Sequence, residues 1–217
     1  MNISRLVISA ISLTLLSGCP TAAQRQFQAM KTGTQAAVTR MDNCISTIYN
    51  SPEYSVIRSH VPLDPRDATL TQLSDNSLIS QSEWKIMSEN YTTIQQCRKN
   101  FLEDLSKSEP SLVPILAKSY NKATDDLLAL SAHRLTWGEF VARNRDRATE
   151  TQAAVQAEDR RVVAELRREH QSEVEQRQRA AEALATWAQT QEMINAANRP
   201  VFTNCTGFGN SVNCITR

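Results

Sequence analysis

The sequence predicts an all-α protein: a small helical bundle with a long projecting C-terminal helix and a short disulfide-closed C-terminal hairpin. Three observations carry this prediction. Only five glycines occur in 217 residues, and glycine-poor chains rich in Ala, Gln, Glu, Arg and Leu favour helix. Apolar residues recur at helical spacing in three segments between 22 and 130, which gathers them on one face of each. Between Gly138 and Pro200 neither glycine nor proline interrupts the chain.

The first helix is expected over 22–50, where Phe27, Met30, Val38, Met41, Ile45 and Ile48 share a face with Cys44. Pro52, Pro62 and Pro65 mark an extended loop to about Arg66, followed by a helical turn near Thr69 to Leu73. A second helix, 80–107, has a legible start. Ser80 and Glu83 form a capping box, each side chain satisfying the other residue's free N–H, and Ile79 and Trp84 stand at the staple positions. Its apolar stripe runs Trp84, Met87, Tyr91, Ile94, Phe101 and Leu105, with Cys97 inside it.

Ser111 is expected to cap a third helix, 111–132, with Pro114 tolerated in its first turn. The interior face would carry Ile115, Leu116, Tyr120, Leu127, Leu128 and Leu130. Thr136 with Glu139, flanked by Leu135 and Phe140, repeats the box and staple and opens a fourth helix over 136–197. Gly138 weakens that helix locally and permits close packing near Trp137. Unbroken, it would be roughly 90 Å long. Between Ala142 and Glu182 its large apolar residues are Val155, Val162, Val163, Leu166 and Val174, among charges of both signs. That stripe is too broken for a heptad repeat and reads as an exposed, charge-laced helix. Local pairs stabilise such a helix by only about 0.2–0.5 kcal/mol each, so a partner, self-association or a frayed middle is expected. Apolar residues return at Leu184, Trp187, Met193 and Ile194. After Pro200, Thr and Val flank a Gly-Phe-Gly-Asn turn, the pattern of a short hairpin. The domains expected are thus 1–18 signal, 19–135 bundle, 136–199 charged helix and 200–217 Cys-bridged tail.

The first residues, Met-Asn-Ile-Ser-Arg, precede an uncharged run from Leu6 to Leu16 and then Ser17, Gly18 and Cys19. A short basic start followed by an apolar run of this length is an export signal; it is too short to cross a bilayer, which takes about 20 residues. The sequence Leu16-Ser17-Gly18-Cys19 resembles the lipobox of bacterial lipoproteins. The resemblance implies cleavage before Cys19 and lipid attachment to its sulfur and amine. Several acyl chains, at about 0.8 kcal/mol per buried methylene, make a lasting anchor. Pro20 rather than Asp follows, which in enteric-type bacteria leans towards the outer membrane. The expected location is the cell envelope, facing the periplasm and held to a membrane through the lipid.

Five cysteines are present, and removing Cys19 leaves four for an oxidising compartment. Four cysteines allow three pairings. Cys44 with Cys97 and Cys205 with Cys214 is the expected one, because each pair shares a structural segment; free or metal-bound thiols are the alternative. No C-x-x-C spacing or nearby histidine supports a metal. The ending Asn-Cys-x-x-x-Gly-x-x-x-x-Cys, at 204–214, resembles a short C-terminal motif of assorted small proteobacterial envelope proteins and implies no activity.

The chain shows little catalytic chemistry. His60, His133 and His170 lie far apart, and His133, near a helix end, could simply complement the dipole. Asp125-Asp126 and Glu158-Asp159 are sequence neighbours that point apart on a helix and read as surface charges. Phosphate loops, nucleophile elbows and dinucleotide fingerprints are absent from the sequence. The formal charge of +1 falls to roughly zero once Arg5 leaves with the signal, so nothing draws the chain to nucleic acid. No cofactor and no catalytic residue is assigned. Trp84 and Trp137 are expected in the core, and Trp187 as a partner contact or packed on the tail hairpin. The leading expectation is therefore a lipid-anchored interaction or scaffold module, with a protein partner or a second copy of the chain. The alternative is a periplasmic small-ligand or inhibitor-type binding module in which the bundle holds the site.

Overall fold

A computed structural model describes residues 20–197 and 203–216. The expected signal segment 1–18 and Cys19 lie outside the described residues. The helices are α1 Ala22–Tyr49, α2 Ser55–His60, α3 Leu70–Leu73, α4 Gln81–Ser108, α5 Val113–Ser131 and α6 Trp137–Ala197, followed by strands β1 Thr203–Phe208 and β2 Ser211–Thr216. The chain divides into two compact units, one through Glu169 and one from His170.

In the first unit α1 and α4 run antiparallel. Arg40 pairs with Asp104 at 2.7 Å, and the Cys44–Cys97 disulfide joins the same two helices. Helix α5 runs antiparallel to α4, with the Tyr91 and Thr124 hydroxyls 3.3 Å apart. The first part of α6 returns along α5. Thr151 Oγ1 donates to Ser119 Oγ at 2.8 Å, and Lys122 pairs with Glu150 at 3.3 Å. The core between these helices is made by Ala37, Val38 and Met41 of α1, Phe101 and Leu105 of α4, Leu116 and Leu130 of α5, and Trp137 and Phe140 of α6.

Local chemistry sets most helix starts. The boxes at Ser80/Glu83 and Thr136/Glu139 form as expected. Two more, Thr21/Gln24 and Thr69/Gln72, start α1 and α3. At Gly138 a Cβ would sit 2.6 Å from the Leu73 carbonyl, and its N–H donates to Asp75 O at 2.8 Å. Only glycine lets α6 start that close to the preceding loop. Helix α5 ends with His133 at φ 56°. Arg134 N–H reaches Ala129 O and His133 N–H reaches Leu130 O, the paired bonds of a Schellman motif.

Several expectations need correcting. The loop 52–66 is not extended throughout: it contains helix α2 and a 3₁₀ turn at Pro65–Asp67. Ser111 does not cap α5. Pro110–Leu112 forms its own 3₁₀ turn, α5 starts after Leu112 without a side-chain cap, and the Ser111 hydroxyl bonds Glu158. Leu128 is exposed rather than interior. Trp84 is half-buried at the edge of the core, whereas Trp137 is fully buried. Within the charged middle of α6, Val155 and Leu166 are buried, because the first part of the helix lies on the bundle.

In the second unit every residue of α6 from Glu175 to Ala197 is exposed. Strands β1 and β2 pair antiparallel with Cys205 opposite Cys214, and a disulfide joins them. Gly209, at φ 60°, occupies the first position of a two-residue turn, the glycine site of a type II′ hairpin. A two-stranded hairpin alone is marginal, and closing this short loop contributes roughly 3 kcal/mol.

Candidate functional site

One end of the first unit is locked by His60. Its Nδ1 lies 2.6 Å from Asp75 Oδ2 and its Nε2 lies 2.9 Å from Glu83 Oε1. The ring stacks on Trp137 with centroids 4.6 Å apart and planes 11° from parallel. Ionised carboxylates only accept hydrogen bonds, so an imidazole placed between two of them is satisfied when it donates from both nitrogens. Desolvation raises the Asp75 and Glu83 carboxyls, but hydrogen bonds from Ser77 and Ser80 and the facing His60 outweigh it and hold both below their ordinary values. Both carboxylates already have fixed partners and Trp137 is fully buried. The arrangement holds α2, α4 and α6 together rather than presenting a reactive group.

Beside this clasp lies a cavity of about 290 Å³. Met41, Ile45 and Tyr49 of α1, Met87, Tyr91, Ile94 and Arg98 of α4, Leu116 and Tyr120 of α5, and Phe140, Arg147 and Val155 of α6 contribute to its wall, closed on one side by 61–66. Most of these are the inward positions of amphipathic helices, so the same periodicity that builds the core builds the cavity.

Its polar groups are few and specific. Arg66 pairs with Asp64 at 2.5 Å and Arg147 pairs with Asp126. Among the described residues Arg98 has no carboxylate partner, and its guanidinium lies 4.9 Å from the Tyr120 ring centre. Burial lowers the Arg98 guanidinium, with Tyr120 and Tyr91 acting in the opposite direction. Burial likewise lowers Arg147, Asp126 opposes it, and the like charge of Arg98 adds to the lowering. The Tyr120 hydroxyl is buried without a hydrogen-bond partner, and burial raises its pKa, Arg98 acting in the opposite direction. Tyr54, also on the wall, is pushed up to about 12 by burial and then by Tyr49.

Known proteins offer no parallel. No family model, no curated protein and no solved structure matches the chain.

The sequence-selected residues fall in separate places. Trp187 is 62 % exposed, and Leu184, Met193 and Ile194 are exposed beside it on α6. At helical spacing Leu184, Trp187 and Ile194 share a face, and Met193 points away from it. His133 Nε2 lies 3.0 Å from Ile79 O and anchors a loop. His170 belongs to the second unit. Among the described residues no group of three or more His, Cys, Asp or Glu could hold a metal ion, and no helix is long and apolar enough to cross a membrane.

Two features escaped the sequence reading. The first is Arg98, for which a signal exists: positions 91, 94, 98, 101 and 105 form one helical stripe, and Arg98 is its charged member. The second feature is a buried acid pair. Glu109 is 5 % exposed and its Oε2 accepts from Thr34 Oγ1 at 3.1 Å. Burial, then the facing Asp159, push the Glu109 carboxyl up to about 7. Asp159 is raised as well, by burial first. It is therefore no simple surface charge, and nothing in the sequence links positions 109 and 159.

Proposed function

We propose that the chain is a lipid-anchored protein of the bacterial cell envelope that acts as an interaction module. The carrying observation is the exposed apolar face of Leu184, Trp187 and Ile194 on the exposed last part of α6. Large aromatic and aliphatic side chains in water are anchors in search of a pocket; Leu184 and Trp187 stand at the i, i+3 positions of helix-in-groove docking, and Ile194 lies on the same face. The lipobox-like start supports attachment through Cys19, with Pro20 favouring the outer membrane. The two disulfides support an oxidising compartment.

Two variants test this in cells. Cys19→Ser is expected to abolish palmitate incorporation and release the chain from the membrane fraction. A photo-crosslinking residue at position 187 is expected to give one discrete protein adduct, which disappears with Leu184→Gln and Ile194→Gln. A membrane-bound, unlabelled Cys19→Ser product would overturn the anchor. Absence of a protein adduct, or an adduct indifferent to positions 184 and 194, would overturn the docking face. The cavity favours a second reading, in which the bundle also holds a small ligand.

A further inference from the structure

We propose that the bundle cavity binds a small amphipathic carboxylate, its apolar body among Met41, Met87, Ile94 and Leu116 and its head against the Arg98 guanidinium and the Tyr120 hydroxyl. This rests on the second reading above and names the ligand class.

Size gives the first argument. About 290 Å³ is close to twice the ~150 Å³ of an engineered core cavity that takes up benzene. It also approaches the ~300 Å³ at which natural ligand pockets begin.

Charge gives the second argument. Three guanidiniums line the space, from Arg66, Arg98 and Arg147. Asp64 pairs with the first, and Asp126, which also meets the exposed Arg143, pairs with the third. Among the described residues Arg98 is the guanidinium of the three without a carboxylate, one positive charge that is partly buried and lies over the Tyr120 ring. Uncompensated buried charge is strongly unfavourable. One carboxylate would restore neutrality, whereas a phosphate dianion would overshoot it. Guanidinium also matches the planar, two-oxygen geometry of a carboxylate.

The third argument is the Tyr120 hydroxyl. It is buried and has no hydrogen-bond partner, and a donor in that state costs about 1–3 kcal/mol relative to a satisfied one. Arg98 and Tyr120 also line a second, more open hollow with Gln95 and Lys99. The head therefore lies where the cavity meets solvent, and the body lies inside. The net charge, the orphaned hydroxyl and the apolar volume select an anionic head on an apolar body.

The test uses the oxidised full chain carrying Cys19→Ser, so that no acyl group competes for the space. Octanoate, octanol and octylamine share a tail and differ in head. Methyl NMR of the methionines locates binding, because Met41 and Met87 line the cavity while Met193 is exposed on α6 of the second unit. Octanoate is expected to shift Met41 and Met87 and leave Met193 unmoved. It is expected to bind about tenfold or more tighter than octanol, the worth of a charge-assisted hydrogen bond. Arg98→Met is expected to erase that preference while octanol still binds. Tyr120→Phe, which keeps the ring, is expected to weaken octanoate several-fold and serves if Arg98→Met does not fold. Equal binding of all three heads would overturn the carboxylate assignment and leave a small-ligand site standing. No shift at Met41 or Met87 with any probe would overturn both.

Discussion

At His60 an imidazole bridges two carboxylates and lies flat on an indole, and each contact closes a different joint. Asp75 belongs to the loop before α4, Glu83 to the capping box of α4, and Trp137 to the first turn of α6. Removing the ring would leave Asp75 and Glu83 facing each other in a partly buried site. His60→Ala is therefore expected to cost about 1–3 kcal/mol, less than a fully buried pair because both carboxylates keep some solvent. Urea unfolding at neutral pH would show it as a lower midpoint with an unchanged slope. The pH dependence has a definite sign. Both carboxyls are held below their ordinary values, so their contribution is present above the unfolded-state carboxyl range and is lost as pH falls through the depressed values. In His60→Ala that acid-side loss shrinks, because one cause of the depression is gone, and it persists through Ser77 and Ser80. An unchanged midpoint and acid limb would show that the ring contributes nothing.

At the scale of elements, what the sequence disclosed was what neighbours in sequence decide. The boxes at Ser80/Glu83 and Thr136/Glu139 close within three residues, and the Cys205–Cys214 hairpin within ten. Gly138 was legible as a site of close packing, although its partner, the Leu73–Asp75 backbone, was not. Ser111 misled because its hydroxyl has two acceptable uses, and tertiary packing on Glu158 prevailed over the cap. The positions of Arg98 and Tyr120 on their stripes were legible, but their shared wall exists only once α4 meets α5. The pair formed by Glu109, before α5, and Asp159, on α6, is wholly tertiary and carries its own test. A carboxyl raised from 4.5 to about 7 holds a proton in the folded chain that the unfolded chain has already released. Its stabilisation is full below about pH 4.5 and is lost as pH rises through about 7. Glu109→Gln keeps shape and a donor without the ionisation. The variant is expected to match the parent near pH 4.5 and exceed it in stability at pH 8. Parallel stability–pH curves would dismiss the acid pair as a determinant.

For the molecule as a whole, the Cys44–Cys97 bridge sets how far the first unit depends on its surroundings. The bridged residues are 53 apart in sequence, and constraining a loop of that size in the unfolded chain contributes about 4 kcal/mol in the chain-entropy account. Total stabilities of single domains run to only about 5–15 kcal/mol. The bridge is therefore a large share of what holds such a unit folded, and an envelope compartment would preserve it. Ile45 and Arg98, the sequence neighbours of Cys44 and Cys97, are on the cavity wall. Cys44→Ser with Cys97→Ser is thus expected to lower unfolding stability by about 4 kcal/mol and to loosen the Arg98 side of the cavity. Thermal unfolding of the double variant, alone and with octanoate, measures both effects. Octanoate should recover part of the lost stability, because a ligand that binds only the folded chain stabilises it by mass action. A double variant as stable as the oxidised parent would mean that α1 and α4 hold together by packing alone, and that the chain is indifferent to the redox state around it.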